Sequence, residues 1–262
     1  MVSLNNIKYQ NEDISIIQGD MSEVLDTLEE GVVDMIFADP PYFLSSGGIT
    51  CSGGKMVSVD KGSWDKSLSY FEKHEYNKKW LLKCKKVMTT NATIWISGTL
   101  HNIYSIGMAL EETGFKILNN ITWQKTNPPP NLGCRNFTHS TETIIWAKKD
   151  TKLSKHYFDY SLMKSYNNDK QMKDVWTGPL TPKTEKKFGK HPTQKPLYLL
   201  ERIIEASTRQ GDLVLDPFLG SGTTGVAAKK LQRKFIGIET EKEFIDIAKN
   251  RMLNTIEEPK LF

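Results

Sequence analysis

The chain has 262 residues, 38% of them hydrophobic and 25% charged, with a formal net charge of +4. That is enough to bury one large α/β core, or one domain with an insertion, and it excludes an intrinsically disordered chain. No apolar run approaches the roughly 18 residues of a membrane span, and Cys51, Cys84 and Cys134 have neither metal-ligand spacing nor the even count of a disulfide framework.

No metal is expected, and the opening residues Met1-Val2-Ser3-Leu4-Asn5-Asn6 lack a basic-then-apolar signal pattern, so a reducing cytoplasm is the expected setting. The charge is uneven. Lys148 to Lys195 holds 12 Lys and 5 acids, a balance of +7, against −3 for the remainder. Such a segment is the footprint of a polyanion partner or a solvated lysine-rich loop.

In chain order, Ile14 to Ile17 reads as a strand and Met21 to Glu29 as a short helix. Val32 to Ala38 reads as a buried strand. Ser45 to Lys66 is polar with five glycines and reads as a mobile loop. Tyr70 to Val87 has helical spacing, Thr93 to Ser97 is strand-like, and Asn102 to Glu112 reads as a helix stopped at Gly114. Phe115 to Trp123 and Thr143 to Ala147 read as strands. Residues 148–190 have weak periodicity and read as an insertion. Pro196 opens a helix to Thr208. Then follow strand Leu213 to Asp216, helix Ser221 to Leu231, strand Lys234 to Ile238 and a closing helix Glu241 to Asn254. The alternation predicts a mostly parallel sheet in one domain, 1–262.

Asp39-Pro40-Pro41-Tyr42 follows the strand ending at Ala38. Open α/β sheets place ligands at that end of a parallel strand. A carboxylate and a proline-flanked carbonyl are acceptors for the two protons of an exocyclic amine, and a tyrosine ring is a stacking platform. The plain alternative is a rigid turn with a capping Asp. Because the motif lies in a surface cleft, Asp39→Ala is expected to abolish catalysis at little cost to folding.

Asp216-Pro217-Phe218-Leu219-Gly220-Ser221-Gly222-Thr223-Thr224-Gly225 follows a second strand and opens a helix. Glycines there admit a ligand to the backbone, and the helix start offers N–H groups. Glu239 ends the next strand, where an acid suits ribose hydroxyls. The three glycines also satisfy the dinucleotide pattern, so an NAD-dependent oxidoreductase is the rival. Asp-Pro-Phe between strand and first glycine counts against it.

Asp-Pro-Pro-Tyr followed later by Phe-x-Gly-Ser-Gly-Thr-Thr resembles the S-adenosylmethionine-dependent DNA amino-methyltransferases of the β group, in which the catalytic motif precedes the cofactor motif. The resemblance covers nearly the whole chain and extends to Ser63-Trp64-Asp65, Trp123 to Pro128 and Lys190-His191-Pro192-Thr193-Gln194-Lys195-Pro196. Within the group the chain is most similar to DpnA-like second methyltransferases of restriction systems that recognise GATC. The resemblance implies a Rossmann-like methyltransferase fold with a seven-stranded sheet and target recognition by 148–190.

It implies catalysis by Asp39, Pro40, Pro41 and Tyr42, with Tyr42 stacking on a flipped-out base. It implies that Asp20, Asp216, Phe218, Gly220, Ser221, Gly222, Thr223, Thr224 and Glu239 bind S-adenosyl-L-methionine, with Thr193 and Lys195 at its methionine carboxylate. Arg135 is expected to read a base, and Lys186 and Lys187 to contact phosphates of double-stranded DNA, single strands and a homodimer being open. Aspartate where cytosine-N4 enzymes of the group commonly carry serine favours adenine N6, with cytosine N4 as the alternative.

Overall fold

The computed structural model describes residues 6–43, 49–52, 55–58 and 68–257. Most of the predicted loop Ser45 to Lys66, including Ser63-Trp64-Asp65, lies outside them. Within it the backbone forms a small antiparallel pair, β4 (Ile49–Ser52) and β5 (Lys55–Ser58).

The main sheet contains β1 (Ile7–Gln10), β2 (Ile14–Gln18), β3 (Val33–Ala38), β6 (Met88–Gly98), β7 (Phe115–Lys125), β8 (Thr141–Lys149), β9 (Val175–Gly178), β10 (Leu213–Asp216) and β11 (Lys234–Glu239). Their order is β1-β2-β11-β10-β3-β6-β8-β7-β9. Only β1 and β8 run against the rest, so the sheet is mostly parallel as predicted. It has nine strands, not seven. The two extra strands are short edges. β1 buries no residue fully, and β9 buries only alternate ones, so neither carries an apolar run.

Helices cover both faces, the three-layer arrangement that a buried parallel sheet requires. α1 (Met21–Leu25), α2 (Tyr70–Val87) and α3 (Ile103–Glu112) pack on one face through Leu25, Trp80, Leu81, Ile106 and Leu110. α5 (Leu197–Ser207), α6 (Thr223–Lys230) and α7 (Lys242–Leu253) pack on the other through Leu199, Ile203, Ala227, Ile245 and Met252. Their packing partners include Trp95 and Trp146, stacked at 4.7 Å on β6 and β8. α2 starts at a reciprocal Ser69–Glu72 capping box. α3 ends before Gly114, whose φ of 74° is the left-handed geometry of a helix stop.

The segment read as an insertion is partly built into this frame. It supplies α4 (Tyr160–Ser165), whose Met163 is buried, and β9, whose Trp176 joins the core beside Trp95. Among the described residues no helix is long and apolar enough to cross a membrane.

Candidate active site

A cavity of about 310 Å³ opens where β2, β3, β10 and β11 end. This volume is at the lower edge of small-ligand sites. Both sequence motifs converge on it. Asp39 to Tyr42 form one wall, with Thr193 and Lys195 beside them; Asp20 and Glu239 line another part; Asp216, Phe218, Gly220, Ser221, Thr223 and Thr224 complete it.

Asp20 precedes α1. It caps α1, accepting from Ser22 N at 2.8 Å and Glu23 N at 3.4 Å, both through Oδ1, and it lines the cavity. Glu239 is held by the backbone around it. Gly220 N donates to Oε2 at 2.8 Å, while Thr240 N and Glu241 N donate to Oε1 at 2.8 and 3.0 Å. A carboxylate has about four acceptor sites, so Oε2 retains capacity for a ligand hydroxyl. Gly220 has φ 51° and packs on His191, where a Cβ would come within 3.1 Å of the ring. Gly222 does not line the cavity. It begins α6 at φ 75°, with Ala248 so close that a Cβ would lie 2.6 Å from its methyl.

Asp216 is buried. Its Oδ1 accepts from Phe218 N at 3.0 Å and its Oδ2 from Thr224 Oγ1 at 2.5 Å. Burial pushes its carboxyl up to about 7. Phe218 packs edge-on against Trp80 at 5.5 Å.

The other wall is a bonded cluster. Lys195, expected at a methionine carboxylate, lines the cavity, and its Nζ donates to Asp39 Oδ2 at 2.6 Å and to Tyr42 Oη at 2.9 Å. Tyr42, expected to stack on a flipped-out base, also lines the cavity; it is 7% exposed, and its hydroxyl donates to Asp39 Oδ1 at 2.5 Å. Burial explains these bonds. A carboxylate this enclosed needs charge and donors around it, and Lys195 and Tyr42 supply them. Burial raises the Asp39 pKa, and Lys195 only partly offsets this. Burial also works against the Lys195 charge, but Asp39, Tyr42 and Glu142 outweigh it and hold that ammonium well above the ordinary lysine value.

Glu142 and Lys125 belong to this cluster and were not singled out in the sequence. Glu142 Oε1 lies 2.7 Å from Lys125 Nζ and its Oε2 3.5 Å from Lys195 Nζ. Both sit where β7 and β8 pair, Trp123 opposite Glu142. The available signal was a charged residue at each strand's end on the ligand side of the sheet. Arg251 was also missed. It is buried in α7, and its Nη1 donates to Ser221 O at 2.7 Å, Ser221 Oγ at 3.1 Å and Thr223 Oγ1 at 2.9 Å. It therefore anchors the glycine turn from behind.

The residues expected to meet DNA do not line the cavity. Arg135 is exposed between β7 and β8. Lys186 is half-buried and Lys187 exposed on a turn that is tied to α5: Leu197 N donates to Glu185 Oε2 at 2.9 Å, and Gln194 Nε2 to Glu185 O at 3.0 Å.

The wall fits a nucleoside with an amino-acid tail. It offers carboxylates at Asp20 and Glu239 for hydroxyl or amine protons, the Phe218 ring for an apolar face, and the backbone of Gly220 at the turn.

Comparison with known proteins agrees. Residues 33–250 match the DNA methylase family of N6 and N4 methyltransferases. The chain is 64% identical over 244 residues to the type II methyltransferase M2.DpnII of Streptococcus pneumoniae, covering 93% of this chain and 91% of that one. It is 63% identical over 244 residues, with the same coverage, to M2.LlaDCHI of Lactococcus lactis subsp. cremoris. The crystal structure of the M1.HpyAVI–SAM complex superposes with a TM-score of 0.68 at 32% identity, over 92% of this chain and 99% of that one. The acid and prolines at the end of β3 and the glycine turn line one cavity, and the chain belongs to the DNA methylase family as a DNA methyltransferase.

Proposed function

We propose that this enzyme methylates the N6 amine of a flipped-out adenine in DNA, with S-adenosyl-L-methionine as donor. We place it as the modification enzyme of a type II restriction system, acting at GATC in a bacterial or phage-encoded cytoplasmic setting. The observation that carries the reading is the Asp39 carboxylate, held at the cavity by Tyr42 and Lys195. The system assignment rests on the similarity to type II methyltransferases, and GATC on the DpnA-like resemblance.

Asp20, Phe218, Gly220 and Glu239 would hold the donor, with Asp216, Ser221, Thr223 and Thr224 shaping the turn that carries it. When bound, it supplies an electrophilic methyl on a sulfonium. Everything else is the work of Asp39 and its neighbours. An adenine N6 lone pair is delocalised into the ring and is a poor nucleophile. The Asp39 carboxylate and the Pro40 carbonyl accept its two protons and favour a tetrahedral nitrogen, with Pro41 stiffening the turn. The lone pair then points outward for in-line attack, and positioning supplies the rest. One proton leaves N6 as the N–C bond forms, to Asp39 or to water. The target base cannot present its amine to Asp39 inside this cavity while stacked in a duplex, so it leaves the stack. Residues 148–190 carry target recognition in this reading.

Sequencing of modified bases in DNA from cells expressing the protein tests this. N6-methyladenine at one recognition sequence is the expected result. N4-methylcytosine would shift the target base and keep the enzyme class.

A further inference from the structure

Four largely enclosed side chains form a chain of ion pairs that ends at Asp39, and one of their oxygens has no hydrogen bond among the described residues. The side chains of Lys195, Asp39, Glu142 and Lys125 are 6%, 14%, 12% and 11% exposed. Glu142 Oε2 is buried and, among the described residues, accepts no hydrogen bond. Such an oxygen is costly to keep. It is kept 3.5 Å from an ammonium already committed to Asp39 at 2.6 Å. Lys195 therefore stands between two carboxylates, bonded to one and a short displacement from the other.

Asp39 has its own difficulty. Its Oδ1 takes the Tyr42 hydroxyl and its Oδ2 the Lys195 ammonium. An ammonium seated on the acceptor competes with an incoming amine and draws charge from the oxygen the amine needs. We propose that Glu142 is a positioning residue that takes up the Lys195 ammonium as the target amine engages Asp39, releasing Oδ2 to the amine. The proposal rests on the reading that Asp39 receives that amine.

The charges make the exchange cheap. Two carboxylates and two ammoniums are present before and after it, so no net charge is moved within the buried site. Lysine carries three donors on a flexible stem, which suits a handover between two acceptors. Lys125 has the supporting part. Burial opposes the Glu142 charge, but Lys195 and Lys125 outweigh it and hold its carboxyl below the ordinary glutamate value. Glu142 is then an anion waiting beside Lys195. Its place on β8, which pairs with both β6 and β7, fixes it against the sheet.

Glu142→Gln keeps the shape and removes the charge. In single-turnover methylation of duplex DNA with saturating S-adenosyl-L-methionine it is expected to be slower by about tenfold or more, the size of one lost charged contact. Because Glu142 acts through Lys195, Glu142→Gln/Lys195→Met should be no slower than Lys195→Met alone. With isotope-labelled lysine, the Lys195 Nζ resonance should shift when DNA containing the target base is added, and should stay in place in Glu142→Gln. If Glu142→Gln does not fold, Glu142→Asp, one methylene shorter, should show the same pattern. Losses that multiply in the double variant overturn the proposal, as does an identical resonance shift in both proteins. A wild-type rate for Glu142→Gln beside an inactive Asp39→Ala overturns it alone. A wild-type rate for Asp39→Ala overturns the underlying reading as well.

Discussion

Lys195 Nζ lies 2.6 Å from Asp39 Oδ2, joining two motifs 156 residues apart in the chain. The segment that leads into α5 and the turn that ends β3 therefore hold each other in place. Asp39 is part of the buried frame as well as of the chemistry.

This alters the expected cost of Asp39→Ala. Judged from sequence, the change is nearly free for folding. In the fold it takes the nearer carboxylate from a buried ammonium, which keeps Glu142 at 3.5 Å, and leaves the Tyr42 hydroxyl without its acceptor, a class of loss worth about 1–3 kcal/mol. The variant should lose methyl transfer and also melt several degrees lower. Asp39→Asn, whose amide oxygen still accepts, should keep most of the stability and a small part of the activity. Methylation assays beside thermal melts check both, and an unchanged melting temperature for Asp39→Ala would show that the pair contributes nothing to stability.

The sequence disclosed what a short contiguous motif can carry. Asp39, Glu239 and the glycine turn each sit at the end of an apolar run, so their place at one edge of a parallel sheet followed from the run itself. Glu142, Lys125 and Arg251 were not legible, because each acquires its meaning from a partner on another element. The short strands β1 and β9 were missed for a related reason: edge pairing, not an apolar pattern, holds them in the sheet. Tyr42 was legible as a ring beside the acid, but its hydroxyl bond to Asp39 was not, because a motif does not show which way its own side chains turn.

Glu239 offers a test of the donor. S-adenosyl-L-methionine or its demethylated product should raise the melting temperature, by about 2.7 kcal/mol of added stability at one hundred times Kd, and NAD should leave it unchanged. Glu239→Ala should abolish most of the shift. It should also lower the starting temperature, because Gly220, Thr240 and Glu241 lose their acceptor. Glu239→Gln, which keeps an acceptor oxygen, should fall between the two. A full shift in Glu239→Ala would remove this residue from the binding site.

Arg251 should act on binding without touching the ligand. Its Nη1 holds the Ser221 carbonyl and the Ser221 and Thr223 hydroxyls from the helix behind them. Arg251→Met should leave those groups without a donor, at about 1–3 kcal/mol each for any that stays buried. Donor affinity should fall along with the melting temperature. Arg251→Lys, with a single charged donor, should recover part of both. Unchanged donor affinity in Arg251→Met would mean that the turn holds its shape unaided.

Asp216 gives the molecule a pH signature. Burial lifts its carboxyl from the ordinary 3.8 to about 7, so the folded state keeps this proton longer than the unfolded chain does. The favourable contribution is full below about pH 4 and gone above about pH 7. Between those limits it declines with a slope of about 1.4 kcal/mol per pH unit. Asp216→Asn should flatten the stability curve over that interval relative to the wild type. Equal slopes for the two proteins in denaturant titrations at stepped pH would show that Asp216 is ionised throughout.

The lysines proposed to contact phosphates can be separated from the proposed base reader by salt. Lys186 and Lys187 ride on a turn pinned to the start of α5 through Glu185 and Gln194, so they are held in fixed relation to Lys195 and the cavity. Each phosphate contact contributes about 0.9 to the slope of log affinity against log salt. Changing both to Ala should therefore weaken binding to all sequences alike and reduce the slope by up to about 2. Arg135 stands apart, exposed between β7 and β8, with Lys125 at the base of that connection tied to Ser140 by its backbone N–H at 2.7 Å. Arg135→Ala should leave the slope nearly unchanged and relax specificity at one position by about 1–3 kcal/mol. Binding titrations on cognate and single-substituted duplexes at several salt concentrations resolve the two. A uniform loss of affinity in Arg135→Ala would make it a phosphate contact, and an unchanged slope in the double lysine variant would leave that turn as solvated surface.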